Sequence, residues 1–157
     1  MYSKFIGLIA ENDFKMRLED CEFDYSFSSL RDWDIEIYIT KDFVKDSENK
    51  INVDKIYKIE IKSCNLFVTK YSNHSKYNYP SNGFFIFKNK KTRDYFKKVN
   101  MDIALYVTFD NECLFLGIIP YNTLNPKNIT SIPLKRIYKF KNNLLTLEKW
   151  YYERCIL

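Results

Sequence analysis

The chain has 157 residues, 46% hydrophobic and 29% charged, enough to bury the core of one domain, and no apolar run reaches the length needed to span a bilayer. Four widely spaced cysteines (Cys21, Cys64, Cys113, Cys155) form no C-x-x-C pair, which suggests neither a zinc ribbon nor a redox motif, and Met1-Tyr2-Ser3-Lys4 runs into a segment interrupted by Glu11 and Asp13, unlike a signal peptide. The formal net charge of +5 is unevenly spread: residues 1–60 carry nine Lys/Arg against fourteen Asp/Glu, residues 61–157 sixteen against six.

In chain order, residues 3–19 read as a helix with Ser3 as its N-cap. Leu8, Glu11, Phe14 and Leu18 fall on one stripe, with Lys15, Arg17 and Glu19 on the solvated side. Glu11 thus sits among apolar neighbours, where it either serves a site or reaches water from the edge of the stripe. Residues 23–27 form a short strand and 32–40 a stronger one, followed by a polar connection over 42–54. Residues 56–63 read as the central strand. The stretch 64–83 is irregular and closes on a turn signal, Pro80-Ser81-Asn82-Gly83, before a short apolar strand over 83–87. Residues 90–99 read as a helix, and 102–109 and 113–120 as a hairpin turning at Asp110-Asn111-Glu112. A loop over 122–133 leads to a tail in which Ile137-Tyr138-Lys139-Phe140 alternates, turns at Asn142-Asn143 and resumes at Leu144, predicting a further hairpin. No repeat or low-complexity segment is visible. The order helix, strands, helix, strands predicts a single α+β domain on a mixed sheet over 1–157.

Alternation along the central strand points Ile59 and Ile61 into one side of the sheet and Glu60 and Lys62 together to the other. Asp34 opens the preceding strong strand, in Trp33-Asp34-Ile35. Phosphodiester hydrolysis needs an activated water, charge stabilisation on the phosphoryl oxygens and help for the leaving alkoxide. A hard divalent cation supplies all three while taking one or two carboxylate ligands. Asp34 and Glu60 are the candidate ligands, with the Ile61 carbonyl as a third. Lys62 would orient or deprotonate the attacking water, and Glu11 would assist.

With these residues the chain resembles the PD-(D/E)xK nuclease superfamily, in the style of junction resolvases and restriction-type enzymes. The resemblance rests on Gly7-Leu8-Ile9-Ala10-Glu11 in the first helix, on Asp34, on Glu60-Ile61-Lys62, and on the later strands Asp102-Ile103-Ala104-Leu105-Tyr106-Val107 and Gly117-Ile118-Ile119-Pro120. It covers about residues 5–122 and leaves 123–157 as a C-terminal extension. It implies a restriction-endonuclease-like mixed sheet flanked by helices, a Mg²⁺ or Mn²⁺ cofactor, and cleavage of DNA with Glu11, Asp34, Glu60 and Lys62 in the site.

From Lys62 to Lys98 nine Lys/Arg face a single acid, Asp94, and Lys88, Lys90, Lys91, Arg93, Lys97 and Lys98 are the candidate phosphate contacts, with Tyr and Phe interleaved. The same stretch also fits a solvated surface. A symmetric homodimer is the simplest way to cut two strands with one site per chain. The competing expectations are a non-catalytic nucleic-acid-binding module and a protein-interaction subunit. The expected location is the cytoplasm, with reduced cysteines used in packing and no membrane partner. His74, in a polar loop, is assigned no role, and Trp33 is expected to pack beside Asp34.

Overall fold

In Ile56-Tyr57-Lys58-Ile59-Glu60-Ile61-Lys62, β-branched and aromatic residues at alternate positions favour an extended chain, and this run becomes the middle strand of a five-stranded sheet. The structure, a computed structural model, describes residues 2–21, 23–27, 34–39, 55–68, 81–86, 101–120 and 131–156. Helix α1 (Tyr2–Asp20) precedes β1 (Asp24–Phe27), β2 (Ile35–Ile39), β3 (Lys55–Asn65), β4 (Phe67–Val68), β5 (Ser81–Asn82), β6 (Phe84–Ile86), β7 (Asp102–Phe109), β8 (Glu112–Pro120) and β9 (Ser131–Pro133). The main sheet has the order β1-β2-β3-β7-β8. Its first three strands are antiparallel, β3 runs parallel to β7, and β7 returns as β8, so the domain is α+β on a mixed sheet, as expected. The expected connection over 42–54 and helix over 90–99 lie outside the described residues.

Each face of the sheet carries its own core. On one, Ala10, Phe14 and Leu18 of α1 pack over Ile35, Ile37, Ile59, Ala104, Tyr106 and Ile118. On the other, Cys64, Ile103, Leu105, Val107 and Ile119 meet Phe85 of β6 and Ile132 of β9. Burial among these residues pushes the Cys64 thiol up to about 12, which makes it a packing residue rather than a nucleophile. The buried stripe of α1 is turned from the expected one: Ala10, Phe14 and Leu18 recur every four residues, whereas Leu8 is 55% exposed. The helix starts at Tyr2, so Ser3 lies within its first turn and is not the cap.

The β7–β8 hairpin turns on two residues, Asp110 (φ 47°) and Asn111 (φ 66°), the left-handed pair that matches the twist of the strands; Glu112, expected in the turn, already belongs to β8. Where β8 bulges opposite Leu105 and Tyr106, Gly117 takes φ +145°, and a Cβ there would press on Leu144. Three other expectations are corrected. Ser81 and Asn82, read as part of a turn, pair with Phe67 and Val68, and a side chain at Gly83 would collide with the Asn65 carbonyl oxygen. Residues 131–133, read as loop, pair with β6. The tail is helical: Leu134–Phe140 forms a 3-10 helix, because Leu134, Ile137 and Phe140 recur every third residue and pack on the second core. After a turn, Leu145 makes a single bridge to Ile118, and α2 (Leu147–Tyr151) starts at Thr146, whose hydroxyl accepts the Lys149 N–H at 3.2 Å.

The tail is fastened at Asp102, the first residue of β7, which is 2% exposed. Its carboxylate accepts the Trp150 indole N–H at 2.8 Å and the Arg154 Nε–H at 3.1 Å, and pairs with the Arg154 guanidinium. Tyr57 donates its hydroxyl to the Arg154 carbonyl at 3.1 Å, so the fastening also grips β3. Among the described residues no helix is long and apolar enough to cross a membrane. Removing a partner from a buried ion pair leaves an uncompensated charge and a lost indole acceptor. Asp102→Ala should therefore lower the unfolding free energy by about 2–3 kcal/mol in urea denaturation, the partial exposure of Arg154 moderating the loss. A change near zero would mean that the tail contributes nothing to holding β7.

Candidate functional site

The strand pairing of β2 with β3 sets the site. Ile35 opposite Ile59 is the last pair of this ladder, so Asp34, in the bend just before β2, lies at its end beside Glu60. The Asp34 N–H still donates to the Ile59 carbonyl at 3.2 Å. One step further along β3, the Ile61 N–H donates at 2.7 Å to the Asp34 carboxylate, Oδ2, in place of a backbone carbonyl. The side chain of Asp34 thus ends the ladder and is held at its edge. In a strand the N–H and C=O of one residue point to the same side, so the Ile61 carbonyl is directed to this edge too.

Glu60 and Lys62 share a face of β3, with Lys62 Nζ 3.7 Å from Glu60 Oε1 and side-chain exposures of 18% and 15% for Lys62 and Glu60. The carboxyl groups of Asp34 and Glu60 lie within hydrogen-bond reach of each other. Burial pushes the Asp34 carboxyl above the usual carboxylate range, against the opposing pull of the Ile61 N–H, the Lys62 charge and the bond to Glu60. Glu11, half-buried on α1, is also raised, first by burial and then by the negative charge of Asp34.

Asp34, Glu60, Ile61 and Lys62 are therefore brought together, and Glu11 lies close enough to feel the charge of Asp34. Among the described residues, however, no group of three or more His, Cys, Asp or Glu side chains is placed to hold a metal ion. The acidic set at the β2–β3 edge is a pair. Two carboxyl groups in contact need a shared proton or a cation between them to relieve their repulsion. A pair of carboxylates beside a strand-edge carbonyl fits a hard cation such as Mg²⁺, which keeps several waters and takes one or two carboxylates. Trp33, His74 and the basic residues Lys88, Lys90, Lys91, Arg93, Lys97 and Lys98 lie outside the described residues.

Two groups were missed in the sequence. Glu36, two residues after Asp34, is 4% exposed and accepts the Tyr38 hydroxyl at 2.9 Å, and the Tyr38 and Ser26 hydroxyls are 2.9 Å apart. Lys58 lies opposite Glu36. The alternation that pairs Glu60 with Lys62 places Lys58 on their face and could have revealed it. Asp13, the second group, accepts both the buried Tyr106 hydroxyl and the Arg17 Nε–H at 2.7 Å, and Arg17 covers the Phe115 ring 4.7 Å from its centroid. No local signal links residues 93 positions apart. Comparison with models of known families, with curated proteins and with solved structures finds no match.

A carboxyl group with a raised pKa stabilises the fold while protonated, and that contribution is lost as the pH rises through the raised value. Asp34→Asn keeps an acceptor for the Ile61 N–H and removes the charge. The variant should melt higher than the wild type near neutral pH by about 2–4 °C, the shift that ~1 kcal/mol gives a domain of this size. Below the ordinary aspartate range the difference should vanish. In the same variant the Glu11 titration, followed by NMR, should move down while staying above its ordinary value because burial remains. An unmoved Glu11 would show that it does not face Asp34.

Proposed function

We propose that this α+β domain has a restriction-endonuclease-like fold and is a divalent-metal-dependent DNA endonuclease. The observation that carries this reading is the Asp34 carboxylate held by the Ile61 N–H at the end of the β2–β3 ladder, beside Glu60 and Lys62, whose own side chains meet at 3.7 Å. Such a polar cluster adds little to stability, and perturbed carboxyl groups concentrate where chemistry is done. A Mg²⁺ or Mn²⁺ ion held by Asp34 and Glu60, with the Ile61 carbonyl, would supply a nucleophilic water at neutral pH and charge stabilisation on the phosphoryl oxygens.

The chain's own residues do the rest. The Ile61 N–H fixes the Asp34 carboxylate so that it need not reorganise when substrate binds. Lys62, packed beside Glu60, orients the attacking water and offsets negative charge on the phosphoryl group. Glu11 assists by holding a water near Asp34. The basic stretch from Lys88 to Lys98 holds the phosphate backbone, and a homodimer places two such sites on two strands.

Purified protein should cut DNA in Mg²⁺ or Mn²⁺ and not in EDTA. Glu60→Ala and Lys62→Ala should each lower cleavage by at least about 100-fold while DNA affinity changes by less than about threefold, because these groups act mainly in the transition state. Ca²⁺ should support binding with little turnover. The assay uses linear, supercoiled and four-way-junction DNA with the Glu60→Ala protein alongside. Cleavage that survives in the variant, or none of any substrate by the wild type, would end the nuclease reading, and the second result would favour a binding module.

A further inference from the structure

Alternation along β3 places Lys58 on the face that carries Glu60 and Lys62, so three successive residues of that face read Lys, Glu, Lys. The opposite face of the same strands is apolar: Ile35, Ile37, Tyr57 and Ile59 all belong to the core under α1. Beneath Lys58, β2 presents Glu36 directly opposite in register, 4% exposed and held through Oε2 by the Tyr38 hydroxyl. The Ser26 hydroxyl, 2.9 Å from that of Tyr38, holds the far end of this chain. A charged group buried in a sheet is expensive, and an apolar residue of the same size would serve stability at least as well. Glu36 thus keeps a carboxyl group at a fixed place opposite half-buried Lys58.

The spacing on this face identifies what fits it. At ~3.3 Å per residue, Lys58 and Lys62 stand about 13 Å apart, with Glu60 midway. Lys62 turns back to Glu60, its Nζ 3.7 Å from Oε1, and so serves a diester held there. Lys58 stands on the other side of Glu60, where a further phosphate of a polynucleotide laid along β3 would pass, and a mononucleotide or minimal diester has no such phosphate.

We infer that Lys58 binds a phosphate of the polynucleotide other than the one being cleaved, and that Glu36 positions it. The site therefore takes its diester inside a chain and draws affinity from the nucleotides on the Lys58 side. This role rests on the nuclease reading above. It adds a contact within the described site to the basic stretch that follows.

The test compares wild type, Lys58→Gln and Lys58→Arg on a 16-residue DNA oligonucleotide and on bis(p-nitrophenyl) phosphate, together with the salt dependence of DNA binding in Ca²⁺. In Lys58→Gln the loss of kcat/KM on the oligonucleotide should exceed that on the small diester by about tenfold, mostly through KM, and the slope of log affinity against log salt should shrink by about 1. Lys58→Arg should restore both. Should Lys58→Gln fail to fold, the double variant Glu36→Gln/Lys58→Gln removes both charges and carries the same expectations. Equal losses on the two substrates, or an unchanged salt slope in a folded variant, would overturn the assignment. If the wild type hydrolyses neither substrate, the nuclease reading falls and the salt slope alone decides the role of Lys58. Wild-type protein that binds no DNA in Ca²⁺ overturns both.

Discussion

The bond from the Ile61 N–H to the Asp34 carboxylate, at 2.7 Å, decides where the β2–β3 ladder stops and what lies at its end. Backbone pairing from Ile35 to Ile39 fixes the register, and with it the end of the ladder at which Asp34 lies beside Glu60. Because a side chain takes the acceptor role of the main chain, a carboxylate is held at the sheet edge within reach of a second carboxyl group. A one-residue slip would send Ile35 to that edge and turn Glu60 away from Asp34. The apolar contacts of Ile35, Ile37 and Ile59 beneath α1 are what forbid the slip, so the geometry of the polar site is secured by the core on the opposite face.

Burial at this edge is costly. It raises both Asp34 and Glu11 above the range of exposed carboxyl groups, and the core side of the sheet gains nothing from either. Proteins carry such local costs where they act, and offset them elsewhere. Asp102, paired along β7 with Ile59 of β3, binds Trp150 and Arg154 and so joins residues 147–154 to the strand that bears Glu60.

Much of the sheet was legible because its strands carry local patterns. Ile59 and Ile61 alternating with Glu60 and Lys62 predicted both the central strand and the face of the site, and the runs before and after Asp110-Asn111 predicted the β7–β8 hairpin. The failures came where the period was read over too few residues. Four residues from Ile137 to Phe140 look alternating, but the longer series Leu134, Ile137, Phe140 has a period of three and coils into a 3-10 helix. On α1, helical spacing put Leu8 on one stripe with Glu11, Phe14 and Leu18, whereas packing chose Ala10, which leaves room for the helix to approach the sheet. Contacts such as Asp102 with Arg154 and Tyr106 with Asp13 join distant parts of the chain, and no local pattern announces them. Of the site, Asp34, Glu60 and Lys62 were legible from strand alternation, while Glu36 and Lys58 were passed over although the same alternation places them.

The cation site proposed at Asp34 and Glu60 is open to direct observation. Crystals soaked in Mn²⁺ and measured at a wavelength where manganese scatters anomalously test it most directly. One anomalous peak per chain is expected between the two carboxylates, on the edge to which the Ile61 carbonyl points, and no peak there in crystals of Asp34→Asn. A wild-type crystal that binds Mn²⁺ elsewhere, with Asp34 and Glu60 still in direct contact, would contradict it.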